Sequence, residues 1–250
     1  MTISLAGQTI VITGGAKRLG RAIALECARS GAHVVITYRD SELEAQQTVA
    51  EMREIAPDSR FGAYSLEISD GKAVEAFCGR VFEEFPNVSG LVNNAAMFAR
   101  TPFETLAEED FDAHIAVNLK GPFLLCRAFG REFLQRGGGS IVNMADIYGI
   151  RPLANYVPYC ISKAGVVMLT QTLAKALAPR VRVNCLCPGT ILLPSQAQGE
   201  GDEEAELIKR IPFGRLGEET EIAQTAVFLL GGPKFLTGTI LPVDGAQILR

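Results

Sequence analysis

Short runs of aliphatic and β-branched residues recur along this chain, each followed by a longer amphipathic stretch, and that alternation most constrains its fold. TIVIT (9–13), HVVITY (33–38), FGAYSLE (61–67), GLVNNA (90–95), GSIVNMA (139–145), VRVNCL (181–186) and TILPV (239–243) read as strands. RLGRAIALECARSG (18–31) reads as a helix ending at glycine, and SELEAQQTVAEMREIA (41–56) as a helix with a serine N-cap. Further helices are predicted over about 70–85, 107–136, 156–177 and 218–230. Strands that are apolar throughout are covered on both faces, and helices between them impose parallel pairing with right-handed crossovers. The expected fold class is α/β: a single-domain, Rossmann-type doubly wound parallel sheet of about seven strands, with helices on both faces. No linker or internal repeat divides residues 1–250, so a single domain is expected.

A net charge of −4 argues against nucleic acid or an anionic membrane as a partner held by bulk electrostatics. No apolar run is long enough to span a bilayer, and MTISLAGQTIVITGG lacks the basic start and apolar core of a secretory signal. A cytoplasmic location is therefore expected. The six cysteines (Cys27, Cys78, Cys126, Cys160, Cys185 and Cys187) read as reduced thiols, and Cys185-x-Cys187 lacks the second cysteine pair or histidine of a zinc site. No metal is expected.

The first strand runs directly into TGGAKRLG (13–20) and then a helix. A glycine-rich turn in that place lets the backbone approach a pyrophosphate, whose charge the helix N-terminus meets. Gly14, Gly15 and Gly20 do not have the GxGxxG spacing, but their position after the first strand favours a dinucleotide site over an ordinary tight turn. The second strand ends in TYRD, where an acid would bind a ribose 2′-hydroxyl and an arginine a 2′-phosphate. Tyr38 and Arg39 stand there, with Lys17 and Arg18 in the turn, so NADP(H) is the expected cofactor; Asp40 is expected to point into the following turn.

Tyr159 and Lys163 lie four residues apart on a predicted helix and share a face. A nearby ammonium lowers a phenol pKa from about 10 toward a range useful for proton transfer. Asp146 lies thirteen residues before Tyr159, in the apolar setting NMADIYG (143–149). Residues 190–217 break the strand–helix pattern with prolines, glycines and an acidic cluster; a mobile substrate lid and a solvated surface insertion are the two readings, and their place after a strand's carboxyl end favours the lid.

TGGAKRLG, NNAA (93–96), Asn118, YCISK (159–163), CPGT (187–190) and VDGA (243–246) together resemble the ordered motif set of the short-chain dehydrogenase/reductases. The resemblance covers nearly the whole chain. It implies that Tyr159 gives or takes a proton, that Lys163 binds the nicotinamide ribose and lowers the tyrosine pKa, and that Asn118 supports a proton-relay water. It also implies cofactor contacts at Gly14, Lys17, Arg18, Leu19, Tyr38, Arg39, Glu67, Asn94, Ala95, Lys163, Pro188 and Gly189, and a homotetramer paired through the helices near 107–136 and 156–178. Two departures resemble the pteridine reductase branch: Arg18 in place of a glycine, and Asp146 in place of a serine. On that comparison Phe98 stacks on the pterin, Tyr156 lines the substrate site with Asp146 and Tyr159, and Arg250 matches an arginine that closes a neighbouring subunit's site. Ala96 stands where that branch often has serine, and Glu67 where the family usually has aspartate.

An ionised Asp146 cannot donate to a carbonyl oxygen as serine does, and it repels a developing alkoxide unless the acid is protonated. Reduction of a C=N bond instead needs a proton delivered to nitrogen, which a tyrosine–aspartate pair can relay. The favoured expectation is therefore NADPH-dependent reduction of a dihydropterin, and of dihydrofolate as a further substrate. An NADP-dependent carbonyl reductase of the 3-oxoacyl or sugar type stands nearly level with it. A catalytically silent dinucleotide-binding sensor is a third reading, against which Asn118, Tyr159 and Lys163 argue.

Overall fold

The computed structural model describes residues 3–191 and 201–250, with the backbone alone at 201–204. Seven strands form one parallel sheet: β1 (Thr9–Ile12), β2 (His33–Tyr38), β3 (Phe61–Ser65), β4 (Val88–Asn93), β5 (Gly139–Met144), β6 (Val181–Pro188) and β7 (Ile240–Val243). Their order is β3-β2-β1-β4-β5-β6-β7, so the winding reverses between β1 and β4. This is the expected Rossmann-type sheet, and the reversal opens a crevice at the strands' carboxyl ends.

Alternate residues of each strand feed two cores. Ile10 and Ile12 of β1 pack with Val34 and Ile36 of β2 beneath helices α1 (Arg18–Arg29), α2 (Glu42–Ile55) and, numbered in chain order, α8 (Glu219–Gly231). Val11 and Val35 face the other way, toward α3 (Gly71–Glu84) and α5 (Gly121–Gln135). Phe77, Phe82, Phe129 and Phe133 fill that second layer with tilted and edge-on ring contacts. Arg182, a buried cation on β6, donates to Ser140 Oγ at 3.0 Å and to the Leu230 carbonyl at 2.6 Å. It thereby caps the negative end of α8.

The single helix expected over 107–136 is two helices, α4 (Glu108–Ile115) and α5, joined by a π-helical turn at Ala116–Lys120. The Gly121 N–H reaches back five residues to the Ala116 carbonyl. Pro122, at the start of α5, has no N–H to give to the carbonyl four residues back, which belongs to Asn118. The extra residue absorbed there turns Asn118 inward, where it is buried.

The remaining helices are α6 (Val157–Leu177) and α7 (Gly201–Lys209). No helix among the described residues is long and apolar enough to cross a membrane. Of the lid expected at 190–217, residues 192–200 lie outside the described residues; Ile211 is buried, and the Gly217 N–H donates to the Thr190 carbonyl at 3.1 Å.

Candidate active site

The carboxyl ends of β1, β4, β5 and β6 share one edge of the sheet, and every motif residue of the sequence lies on or near it. After β1, Gly14 takes a left-handed φ of +64°, and a Cβ there would stand 3.0 Å from Ala95 Cα. Asn94 closes the turn: its amide donates to the Thr13 carbonyl at 2.9 Å and the Gly14 carbonyl at 3.1 Å. The N–H groups of Asn94 and Ala95 both donate to Thr13 Oγ1 at 3.0 Å. Thr13 was not singled out in the sequence, yet its hydroxyl joins the two motifs.

Arg18 opens α1 with φ +53°, a left-handed conformation that disfavours side chains and explains why glycine is usual at this place. The first turn of α1 has no side-chain cap and no acidic residue. Its free amides and positive dipole end, beside a turn with no side chain at Gly14, fit a pyrophosphate. Leu19 and Tyr38 are half-buried and pack on the α1-side core. Arg39 lies exposed at the end of β2, and its Nε donates to Asp40 Oδ2 at 2.6 Å. Asp40 therefore pairs with the arginine instead of serving the following turn. Lys17 stands 3.7 Å from Glu44, also at the surface. Glu67 accepts from the N–H of Ser69 at 3.0 Å and its hydroxyl at 2.8 Å, so its carboxylate organises its own turn.

The second cluster follows β5. Asp146 begins a short 3₁₀ turn, with Oδ1 accepting the Tyr148 N–H at 2.9 Å. Oδ2 accepts the Tyr159 hydroxyl at 2.7 Å. Lys163 is buried, donates to the Met144 carbonyl at 2.9 Å, and holds Nζ 5.7 Å from the centre of the Tyr159 ring. Burial pushes the Tyr159 phenol well above its ordinary range, and Asp146 pushes it further. The expected lowering by Lys163 is not the outcome here. Coulomb energy falls with distance, and the carboxyl bonds the hydroxyl directly while the ammonium is turned to a carbonyl. Burial also pushes the Asp146 carboxyl up and the Lys163 ammonium down. The row is a buried proton-sharing pair above a buried cation.

Asn118 sits behind this pair. Its Oδ1 accepts the Met97 N–H at 2.8 Å, and its Nδ2 donates to the Met97 carbonyl at 3.0 Å and to Ser162 Oγ at 3.1 Å. Ser162, which the sequence reading passed over, in turn donates to the Tyr159 carbonyl at 2.7 Å. Its spacing of three from Tyr159 on α6 was the available signal. The segment after β4 is tied to the start of α6 by the Thr101 N–H donating to the Asn155 carbonyl at 2.7 Å. That tie brings Phe98 onto Tyr156, stacked with ring centres 4.6 Å apart and planes at 12°. Phe98 also meets Tyr159 edge-on, at 4.7 Å and 80°. One face of Phe98 is thus covered by a neighbour of its own chain.

At the end of β6, Pro188 is buried and the Gly189 N–H donates to the Val243 carbonyl at 3.0 Å. A Cβ on Gly189 would come within 2.7 Å of the Asp244 side chain. Arg250 donates to the Lys209 carbonyl of its own chain. Cys185 and Cys187 lie behind Lys163 as buried free thiols with Sγ atoms 3.7 Å apart.

The sequence profile of a family described as "Enoyl-(Acyl carrier protein) reductase" matches residues 14–246, from the glycine turn to the end of β7 and beyond. The chain belongs to the short-chain dehydrogenase/reductase family. It is 35% identical to 3beta-hydroxysteroid dehydrogenase 1 of Eggerthella lenta, over 98% of this chain and 95% of the relative. It is 34% identical to D-threitol dehydrogenase of Mycolicibacterium smegmatis, over 98% and 95%. Identity to the 3-oxoacyl-(acyl-carrier-protein) reductase of Thermotoga maritima is 32%, over 98% and 99%. Among solved structures, levodione reductase superposes with a TM-score of 0.91 at 31% identity, covering 98% of this chain and 99% of that one. A protein described as a 2-deoxy-D-gluconate 3-dehydrogenase of Agrobacterium tumefaciens, solved with bound NADP, gives 0.89 at 30%, covering 100% and 99%. None of these proteins is named for a pterin, and the similarity places the chain in the family without placing it in the pteridine reductase branch.

Because Asp146 raises the Tyr159 pKa, Asp146→Asn is expected to lower it. Titration of phenolate absorbance, with Tyr159→Phe as the subtracted reference, reads this shift. An unchanged midpoint would contradict the pairing.

Proposed function

We propose that this protein is an NADP(H)-dependent carbonyl reductase that interconverts a ketone and a secondary alcohol on a 3-oxoacyl or sugar-type substrate. The observation that carries the reading is the 2.7 Å hydrogen bond from the Tyr159 hydroxyl to Asp146, set over Lys163 at the sheet's carboxyl edge. The names of the relatives, which span 3-oxoacyl, polyol and steroid oxidoreductases, support this reading over a pterin substrate.

The dinucleotide, when bound, supplies the hydride. Gly14, Asn94 and Ala95 shape the turn that receives its pyrophosphate, and the open first turn of α1 faces that charge. Lys163, buried beside Tyr159, would hold the nicotinamide ribose, and Leu19 and Tyr38, packed on the core, would support the adenosine side. Glu67 orders the turn after β3 that would meet the adenine, and Pro188 and Gly189 would form the wall after β6. Lys17, Arg18 and Arg39 favour a 2′-phosphate. Two of these cations already hold Asp40 and Glu44, but exposed ion pairs of that kind are worth only ~0.2–1 kcal/mol and yield to a dianion.

On the substrate side, Tyr159 delivers its proton to the carbonyl oxygen. Asp146 takes the place of the usual serine as a second donor, because burial favours its neutral acid. In the reverse direction the ionised carboxylate accepts the tyrosine proton as the alcohol gives up its own. The Asn118 carbonyl, deprived of an α-helical donor by Pro122, supports the water that resupplies the proton. Phe98 and Tyr156 line the substrate's apolar side. Exposed apolar side chains on α5 and α6, such as Phe123 and Met168, together with Phe228 on α8, support self-association as a homotetramer.

NADPH oxidation is to be followed with an acetoacetyl thioester, a ketose, dihydrobiopterin and dihydrofolate. Turnover of a carbonyl substrate with a kcat/KM at least tenfold above either pterin is expected. The opposite order would return the pterin reading, and NADPH binding with no turnover on the panel would favour a sensor. For the cofactor, Arg39→Ala is expected to weaken NADPH binding about tenfold, the worth of one charge-assisted hydrogen bond, and NADH binding less than twofold. Equal losses for the two cofactors would contradict the assignment.

A further inference from the structure

The chain's last residues fold back onto the candidate site, and one side chain there has no role in the reading above. Gln247 is 2% exposed, although it lies three residues from the C-terminus. Its Oε1 accepts the Thr190 N–H at 3.0 Å and faces the Thr190 hydroxyl at 3.2 Å, and its Nε2 donates to that hydroxyl at 3.0 Å. Its backbone carbonyl accepts Arg151 Nη1 at 2.6 Å. Thr190 follows the Pro188–Gly189 wall, and Arg151 ends the short turn that begins at Asp146. One residue therefore ties the exit of β6 to the loop that carries the acid. Tyr148, whose N–H holds Asp146 Oδ1, lies close to both Thr190 and Arg151.

The tail is itself fixed. Asp244 accepts the N–H groups of Ala246 at 3.1 Å and Ile248 at 2.7 Å, and Ala246 takes a left-handed φ of +67°. The Gly245 carbonyl accepts the Phe213 N–H at 3.3 Å. These contacts aim Gln247 inward. A buried amide with each polar group engaged, joining two walls of a site through a third segment, does more than fill space.

We propose that Gln247 is a positioning residue: it sets the spacing between the Thr190 wall and the Asp146 loop, and with it the fit of dinucleotide and substrate between them. This deepens the carbonyl reductase reading for the substrate and rests on it there. The dinucleotide part rests on the family alone.

Three variants test it: Gln247→Leu, Thr190→Val and the double substitution. NADPH affinity is measured by fluorescence titration, and KM and kcat with the best carbonyl substrate of the panel. Each single variant is expected to weaken NADPH binding and raise KM about tenfold, with kcat changed less than threefold. The double variant should be no worse than Gln247→Leu, which already removes every side-chain bond to Thr190, whereas Thr190→Val leaves the backbone N–H bond to Gln247. An NADPH affinity and KM within twofold of the parent in folded Gln247→Leu would overturn the proposal, as would losses that multiply in the double variant. If Gln247→Leu does not fold, Gln247→Met is measured in the same way; failure of both to fold makes the residue structural and also overturns the proposal. Altered NADPH affinity in a protein that turns over no carbonyl would leave the positioning role standing and remove the carbonyl reading instead.

Discussion

In the proposed reductase, the contact between the Tyr159 hydroxyl and Asp146 orders the chemistry. A carboxyl and a phenol at 2.7 Å, both drawn out of water, cannot both be ionised. The pair holds one proton when the carboxylate is charged and two when it is not. Everything around it serves that choice. The end of β5 delivers Asp146, the Tyr148 N–H fixes one of its oxygens, α6 delivers Tyr159, and Lys163 beneath offsets the remaining charge. With serine at this place the tyrosine would answer mainly to the lysine. With aspartate the nearer anion dominates, and the protonation state of the pair decides whether the site is a donor or an acceptor.

Much of the fold was legible because the strands are apolar on both faces. IVI in β1 and VVI in β2 have no polar side, so only a sheet covered on both faces suits them. The π turn at Ala116–Lys120 was not legible as such, since the run around it keeps a helical apolar pattern. Gly121-Pro122 was the signal, through the N–H that proline lacks. The lysine and tyrosine were readable from their spacing of four, but the direction of the tyrosine's pKa was not. It depends on which neighbour reaches the hydroxyl, and sequence spacing carries no distance.

The cofactor side shows the same division. Gly14 and Gly20 were readable from their place between the first strand and the first helix, and the structure adds that a Cβ on Gly20 would collide with the Gly14 carbonyl and that Asn94 and Thr13 lock the turn. The pairing of Arg39 with Asp40 was hidden, since adjacent residues on a strand usually point apart and only the chain's turn after β2 brings them together. Gln247 and Thr190 lie far apart in sequence and share no motif; only the parallel pairing of β6 with β7 sets them side by side.

The pH dependence of reduction tests the central claim most directly. Burial raises the Asp146 pKa, so its donor form is present below that raised value and is lost as pH rises through it. In the parent protein kcat/KM for carbonyl reduction should therefore fall along a limb whose midpoint lies above the usual carboxylate range. In Asp146→Ser that limb should be absent, because serine stays a donor across the same interval. The same limb in both proteins would contradict the account.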